Sequence, residues 1–201
     1  MTVLSTKSII ERLFHEDPSK RLVITPIINH KTQIAHGSVD LRLGTEFIIT
    51  KRTKYHLLDP IQEDIESRIE QYQDKIYVGY KGKLILQPRQ FVLGSTLEYI
   101  RLPNDLLGYV IGRSSWGRVG LIIATATMVG PGFAGSLTLE LVNLGEADLA
   151  LYPGTRIAQL VLHTLDQEDT GYIGKPESKY IGAVGPEFSK IYADKEWKLL
   201  R

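Results

Sequence analysis

Ser136-Leu137-Thr138-Leu139-Glu140-Leu141-Val142 is the stretch that decides the fold class. Leu137, Leu139 and Leu141 alternate with Ser136, Thr138 and Glu140, the period of a half-buried strand with its polar side chains on the outer face. Just upstream, Pro131-Gly132-Phe133-Ala134-Gly135 supplies the turn residues from which such a strand can start. Glu140 is the only acid between Asp105 and Glu146, so a lone carboxylate stands on the polar face. Spacing alone leaves two roles open for it, a salt-bridged surface group or a proton carrier.

Further upstream lies Gly112-Arg113-Ser114-Ser115-Trp116-Gly117-Arg118-Val119-Gly120. Two arginines five residues apart, with two hydroxyls between them and glycines on both flanks, can turn backbone N–H groups, hydroxyls and guanidinium forks toward one polyanion. A loop of this kind suits a nucleoside triphosphate. On their own, Ser114 and Ser115 read equally well as turn hydroxyls capping a nearby backbone N–H.

The texture of short apolar runs continues in both directions, broken by Gly, Pro, Asn and Asp. Runs at 22–28, 39–43, 46–49, 76–78, 83–86, 91–97, 109–111, 121–127, 149–151 and 157–163 join 137–142 as expected strands, which means a mainly β core. Ser5 caps a short amphipathic helix that must end before Pro18. Residues 61–72, with apolar Ile61, Ile65 and Ile69, read as a polar helix outside the core, its charges a solvated face. After Leu165 the pattern dissolves into a polar, glycine-rich tail with too few apolar residues for a strand. Such a tail reads as a fraying terminus, with a flap that orders over a ligand as the alternative.

The 201 residues suffice for one well-cored domain. Lys and Arg total 24 against 23 Asp and Glu, so no global field favours nucleic acid or an anionic membrane, and any basic site must be local. The chain has no Cys, which removes thiolate nucleophiles and the cysteine-ligated zinc of the metal-dependent nucleobase deaminases. With no signal-like or membrane-length apolar run, a soluble cytoplasmic protein is the default.

The assembled motifs resemble the dCTP deaminase branch of the dUTPase-like superfamily over nearly the whole chain. The matches are Gly37-Ser-Val-Asp-Leu-Arg-Leu-Gly44, the loop at 112–120, Pro131-Gly-Phe-x-Gly-x-Leu-x-Leu-Glu140, Tyr152-Pro-Gly-x-x-Ile-x-Gln159, and Ser178-Lys-Tyr-x-Gly182 with Gly185-Pro186. The resemblance implies a mainly β, dUTPase-like distorted β-barrel or jelly-roll (β-clip) with a few short peripheral helices. It implies a core over 1–165 with an N-terminal helix, a C-terminal flap of the same domain over 166–201, and a homotrimer with sites between subunits. Mg²⁺ would arrive with the triphosphate, and no zinc is expected.

Carried over residue by residue, Glu140 matches the carboxylate that moves protons as water attacks C4 of the cytosine. Ser114 matches the hydroxyl that helps hold that water, together with a backbone carbonyl near Thr125 or Ala126, and Arg118 matches a cation of the same pocket. Arg113 and Ser115 match phosphate and positioning groups. Phe133 stands where an aromatic packs on the deoxyribose, and Tyr172 and Lys179 match groups that close over the triphosphate. Three positions depart from the family pattern: Ala124 where histidine is common, Gly130 where aspartate is usual, and Ala183 where glutamine is usual. The expected activity is metal-independent deamination of dCTP to dUTP and ammonia. The alternatives are a dUTP-hydrolysing or bifunctional enzyme, and a catalytically weakened nucleotide-binding sensor, toward which the three departures lean.

Overall fold

The computed structural model of the chain describes residues 2–51, 57–124, 128–169, 171 and 179–200. The expected mainly β core is present, as two sheets and a two-stranded pair. The first sheet runs β5 (Gln73–Tyr77), β4 (Glu46–Thr50), β7 (Phe91–Arg101), β11 (Ala134–Asn143) and β9 (Leu121–Ile123), with β1 (Val23–Thr25) also on β7. The second runs β10 (Met128–Val129), β8 (Leu106–Gly112), β13 (Arg156–Thr164), β3 (Ser38–Arg42) and β2 (Ile34–Ala35). Strands β12 (Leu149–Leu151) and β6 (Leu84–Leu86) form the pair. Each of the eleven expected runs overlaps a strand; the two-residue β2 and β10 are too short to leave a periodic trace.

The core lies between the sheets because the two long central strands turn their alternating apolar side chains inward. Leu139 and Leu141 of β11 are fully buried with Phe47, Leu41, Ile157, Leu160 and Leu162. Ser136 to Glu140 pair with Tyr99 to Leu93 on β7, with one bulge-like shift of register between Ser136 and Thr138.

Helix α1 (Thr6–Leu13) starts at Ser5, whose Oγ accepts from the Ser8 N–H at 3.1 Å. Besides the short α2 (His30–Gln33), the chain forms α3 (Ile65–Tyr72), one turn shorter than the periodicity predicts. Asp59 diverts its first turn, its carboxylate accepting from the Ile61 N–H at 3.0 Å and its carbonyl from the Gln62 N–H at 3.2 Å. Among the described residues no helix is long and apolar enough to cross a membrane.

The expectation of a fraying tail is overturned for residues 179–200, which dock on the core. The Ser136 N–H donates to the Ala183 carbonyl at 2.8 Å, the Gly182 N–H donates to Ala134 at 2.7 Å, and the Gly185 N–H donates to Ser136 Oγ at 2.8 Å. Two of these are backbone bonds and the third uses a single hydroxyl, so they need no apolar pattern. Gly135, at φ +153°, permits the approach: a Cβ there would sit 3.1 Å from the Ala183 carbonyl oxygen. Farther along, Tyr192 hydrogen-bonds Glu66 of α3, and with burial this pushes its pKa up to about 12. The supposedly solvated face of α3 is thus partly a platform for the tail.

Candidate active site

Glu140 owes its position to the alternation of β11. Its neighbours Leu139 and Leu141 fill the core, so its own side chain emerges on the opposite face, between Leu93 of β7 and the start of the loop after β9, whose Ala124 N–H donates to the Glu140 carbonyl at 2.9 Å. A cavity of about 380 Å³ opens there. Ser136, Thr138 and Glu140 line it from β11, Phe91 and Leu93 from β7, Gln73 from β5, Met128 and Val129 from β10, and Phe133 from the turn before β11. Tyr180, Ala183, Glu187 and Ser189 of the docked tail complete the wall. The size is that of a small-molecule site, and the apolar lining with a few convergent polar groups is the usual composition of one.

Burial in this apolar surround raises the pKa of Glu140 above the ordinary carboxylate value. A half-buried glutamate shifted toward neutrality can take up and return a proton where a surface glutamate would stay ionised. Phe133 is buried and faces the same cavity, held by a turn in which its N–H donates to the Gly130 carbonyl at 3.2 Å and Gly132 sits at φ +73°. Gly130 thus contributes a backbone acceptor to the turn that holds Phe133 and brings no carboxylate.

The predicted phosphate loop folds as one helical turn, α4 (Ser114–Gly117), rather than the open loop its glycines imply. Arg113 precedes it in extended conformation, its carbonyl accepting from the Trp116 and Gly117 N–H groups at 3.0 and 3.1 Å. Ser114 and Ser115 are exposed on this turn, and so is Arg118 at its end. Trp116 anchors the turn by donating from Nε1 to the Arg156 carbonyl at 3.1 Å.

Within one chain the structure brings Glu140 and Phe133 together, but it does not bring Ser114, Ser115 or Arg118 to their cavity. Arg113 forms an ion pair with Asp40 at 2.5 Å, and Lys179 pairs with Asp194 in the tail. Thr125, Ala126 and Tyr172 lie outside the described residues. Sequence reasoning missed Gln73, Tyr180, Glu187 and Ser189 as cavity residues. Tyr180 sits inside the motif Ser178-Lys-Tyr-x-Gly182 and Glu187 follows Gly185-Pro186, so both were within reach of a motif reading; Gln73, at the junction of α3 and β5, carries no such signal.

The dCTP deaminase-like family profile matches residues 3–165. A protein of Haloarcula marismortui named dCTP deaminase is 41% identical over 197 residues, covering 97% of each chain. One from Dictyoglomus turgidum named dCTP deaminase, dUMP-forming, is 42% identical over 195 residues, covering 96% of each. Among solved structures, the 2'-deoxycytidine 5'-triphosphate deaminase of Agrobacterium tumefaciens superposes with a TM-score of 0.60 at 18% identity. That alignment covers 81% of this chain and 48% of the other, and at that identity it speaks for the fold alone.

Proposed function

This chain belongs to the dCTP deaminase-like family, and on that premise we propose that it hydrolyses dCTP at C4 of the base to give dUTP and ammonia. Water adds to C4, the C4–N bond breaks, and a carbonyl remains where the amine stood. Glu140 takes one water proton as the oxygen adds and delivers it to N3, then carries the proton of the resulting C4 hydroxyl to the amine, which leaves as ammonia. The observation that carries this reading is the half-buried Glu140, raised in pKa, sharing a cavity with the ring of Phe133. That ring supplies an apolar surface against which the deoxyribose can pack.

The exposure of Ser114, Ser115 and Arg118, away from the Glu140 cavity of their own chain, supports a homotrimer in which a neighbouring copy presents this turn to the site. Ser114 then steadies the attacking water, while Arg118 and Ser115 meet the ligand. Within the same reading, Lys179 reaches the triphosphate once its pairing with Asp194 is exchanged. Among the described residues no group of three His, Asp or Glu could hold a metal ion. In this reading Mg²⁺ arrives with the triphosphate, whose phosphate charge it neutralises.

A second reading, release of pyrophosphate from dUTP as well, is favoured by the dUMP-forming name of the Dictyoglomus relative. Against it stands Gly130, where a carboxylate for water at phosphorus is missing. Loss of catalysis with retained binding is the remaining alternative, motivated by Ala124, Gly130 and Ala183. Purified protein incubated with Mg²⁺ and dCTP, CTP, dUTP or dTTP, with ammonia and pyrophosphate followed in the same samples, separates the three. Ammonia from dCTP without pyrophosphate is the expected result. Pyrophosphate from dUTP at a comparable or faster rate makes the second reading the leading one, and neither product leaves a binding protein.

A further inference from the structure

Beneath the α4 turn, two guanidinium groups meet a single carboxylate oxygen. Arg113 Nη1 lies 2.5 Å from Oδ2 of Asp40, and Arg156 Nη1 lies 2.9 Å from the same atom while donating to the Thr32 carbonyl at 3.0 Å. The three residues come from adjacent strands, Arg113 just past the end of β8, Arg156 at the start of β13 and Asp40 on β3. The Asp40 side chain is 8% exposed, against 26% for Arg113 and 41% for Arg156. An anchored carboxylate thus holds two cations that keep one side toward solvent. Its other oxygen, Oδ1, is buried without a hydrogen-bond partner, so the grip runs through Oδ2 alone.

Charge settles what such a cluster can do. One carboxylate against two guanidiniums leaves a surplus positive charge, and the exposed Arg118 five residues on adds another. A pair made only to staple strands would balance its charges, whereas a surplus fixed on rigid strands suits a polyanion. A guanidinium held from below also loses less freedom when a phosphate arrives, which raises affinity through preorganisation.

We propose that Asp40 is a positioning residue for triphosphate binding, orienting Arg113 through Oδ2 so that its remaining donors meet phosphate oxygens beside Arg118, with Arg156 as the second cation it holds. This rests on the phosphate-binding half of the function proposed above and is independent of the chemistry at the base.

Titration calorimetry with inorganic tripolyphosphate on the purified assembly tests it in the wild type, Asp40→Asn, Arg113→Gln and the double variant. Removing one charged hydrogen-bonding partner is expected to weaken binding about tenfold in each single variant. The double variant should then be no weaker than the weaker single, because both remove one contact. Wild-type affinity in Asp40→Asn, multiplicative losses in the double variant, or no binding by the wild type would each overturn the proposal. Should Asp40→Asn fail to fold, Arg113→Lys decides. It keeps the charge but not the fork, so weakened binding supports the proposal and unchanged binding overturns it. If tripolyphosphate binds with the expected coupling while dCTP yields no ammonia, this inference stands and the deaminase reading falls.

Discussion

Ser136→Ala should release the tail from the Glu140 cavity while leaving the core intact. The buried Ser136 hydroxyl donates to the Ala183 carbonyl at 3.2 Å and accepts from the Gly185 N–H at 2.8 Å. At about 1 kcal/mol net per bond, losing both costs about 2 kcal/mol of docking, or roughly 30-fold in the open fraction. Removing one oxygen leaves Leu137 and Leu139 packed as before, so global stability should change little. Amide hydrogen exchange reads the difference directly. Gly182, whose N–H donates to Ala134 and not to the altered side chain, should exchange about 30-fold faster, with Leu139 unchanged. Because Tyr180, Ala183 and Glu187 wall the cavity, kcat/KM for ammonia release should fall in parallel. Unchanged exchange at Gly182 would refute the docking argument, and uniform acceleration through β11 would show that the hydroxyl supports the core instead.

Two further outcomes follow from buried charge. Glu98 is fully buried and accepts from the Arg42 backbone N–H at 2.8 Å, from Arg42 Nη1 at 3.3 Å and from Gln33 Nε2 at 2.9 Å. Glu98→Ala leaves the Arg42 guanidinium buried without its carboxylate, at about 3–5 kcal/mol. At roughly 2–4 °C per kcal/mol, the melting temperature should drop by about 6–20 °C in calorimetry; a drop of under about 2 °C would contradict the pairing. For Glu140, the pKa raised by burial places the acid limb of kcat/KM above 4.5, with activity lost as pH falls through that pKa. The same shift means the folded chain holds this proton more tightly than the unfolded one, so ionised Glu140 costs stability as pH rises past its ordinary value. Glu140→Gln should therefore be no less stable than wild type at neutral pH, and an acid limb at or below 4.5 would refute the shift.

What could be read from the chain was whatever repeats locally. Leu137, Leu139 and Leu141 announce a strand because burial there has a period of two, and the same logic placed the other long strands. The α4 turn was hidden because Gly112 and Gly117 signal a loop, while the helical turn is held by the Arg113 carbonyl and by Trp116 reaching Arg156 forty residues away. The docked tail was hidden for a related reason: its bonds to Ala134 and Ser136 are backbone and single-hydroxyl contacts that impose no pattern. Glu140 could be singled out by its isolation, yet its environment could not, since burial there depends partly on tail residues some forty positions later. Likewise Arg113 looked like a phosphate ligand from spacing, and only the fold shows Asp40 beneath it.

The proposed deamination depends on Glu140 as the proton carrier. Its most direct test is ammonia release from dCTP by Glu140→Gln, with dCTP binding measured on the same protein. The amide keeps the shape and polarity of the side chain but cannot accept the water proton. Binding should persist while turnover falls by the ~10²–10⁴-fold typical of a lost acid–base group. Undiminished ammonia release from the variant would remove Glu140 from the mechanism and contradict its role as proton carrier.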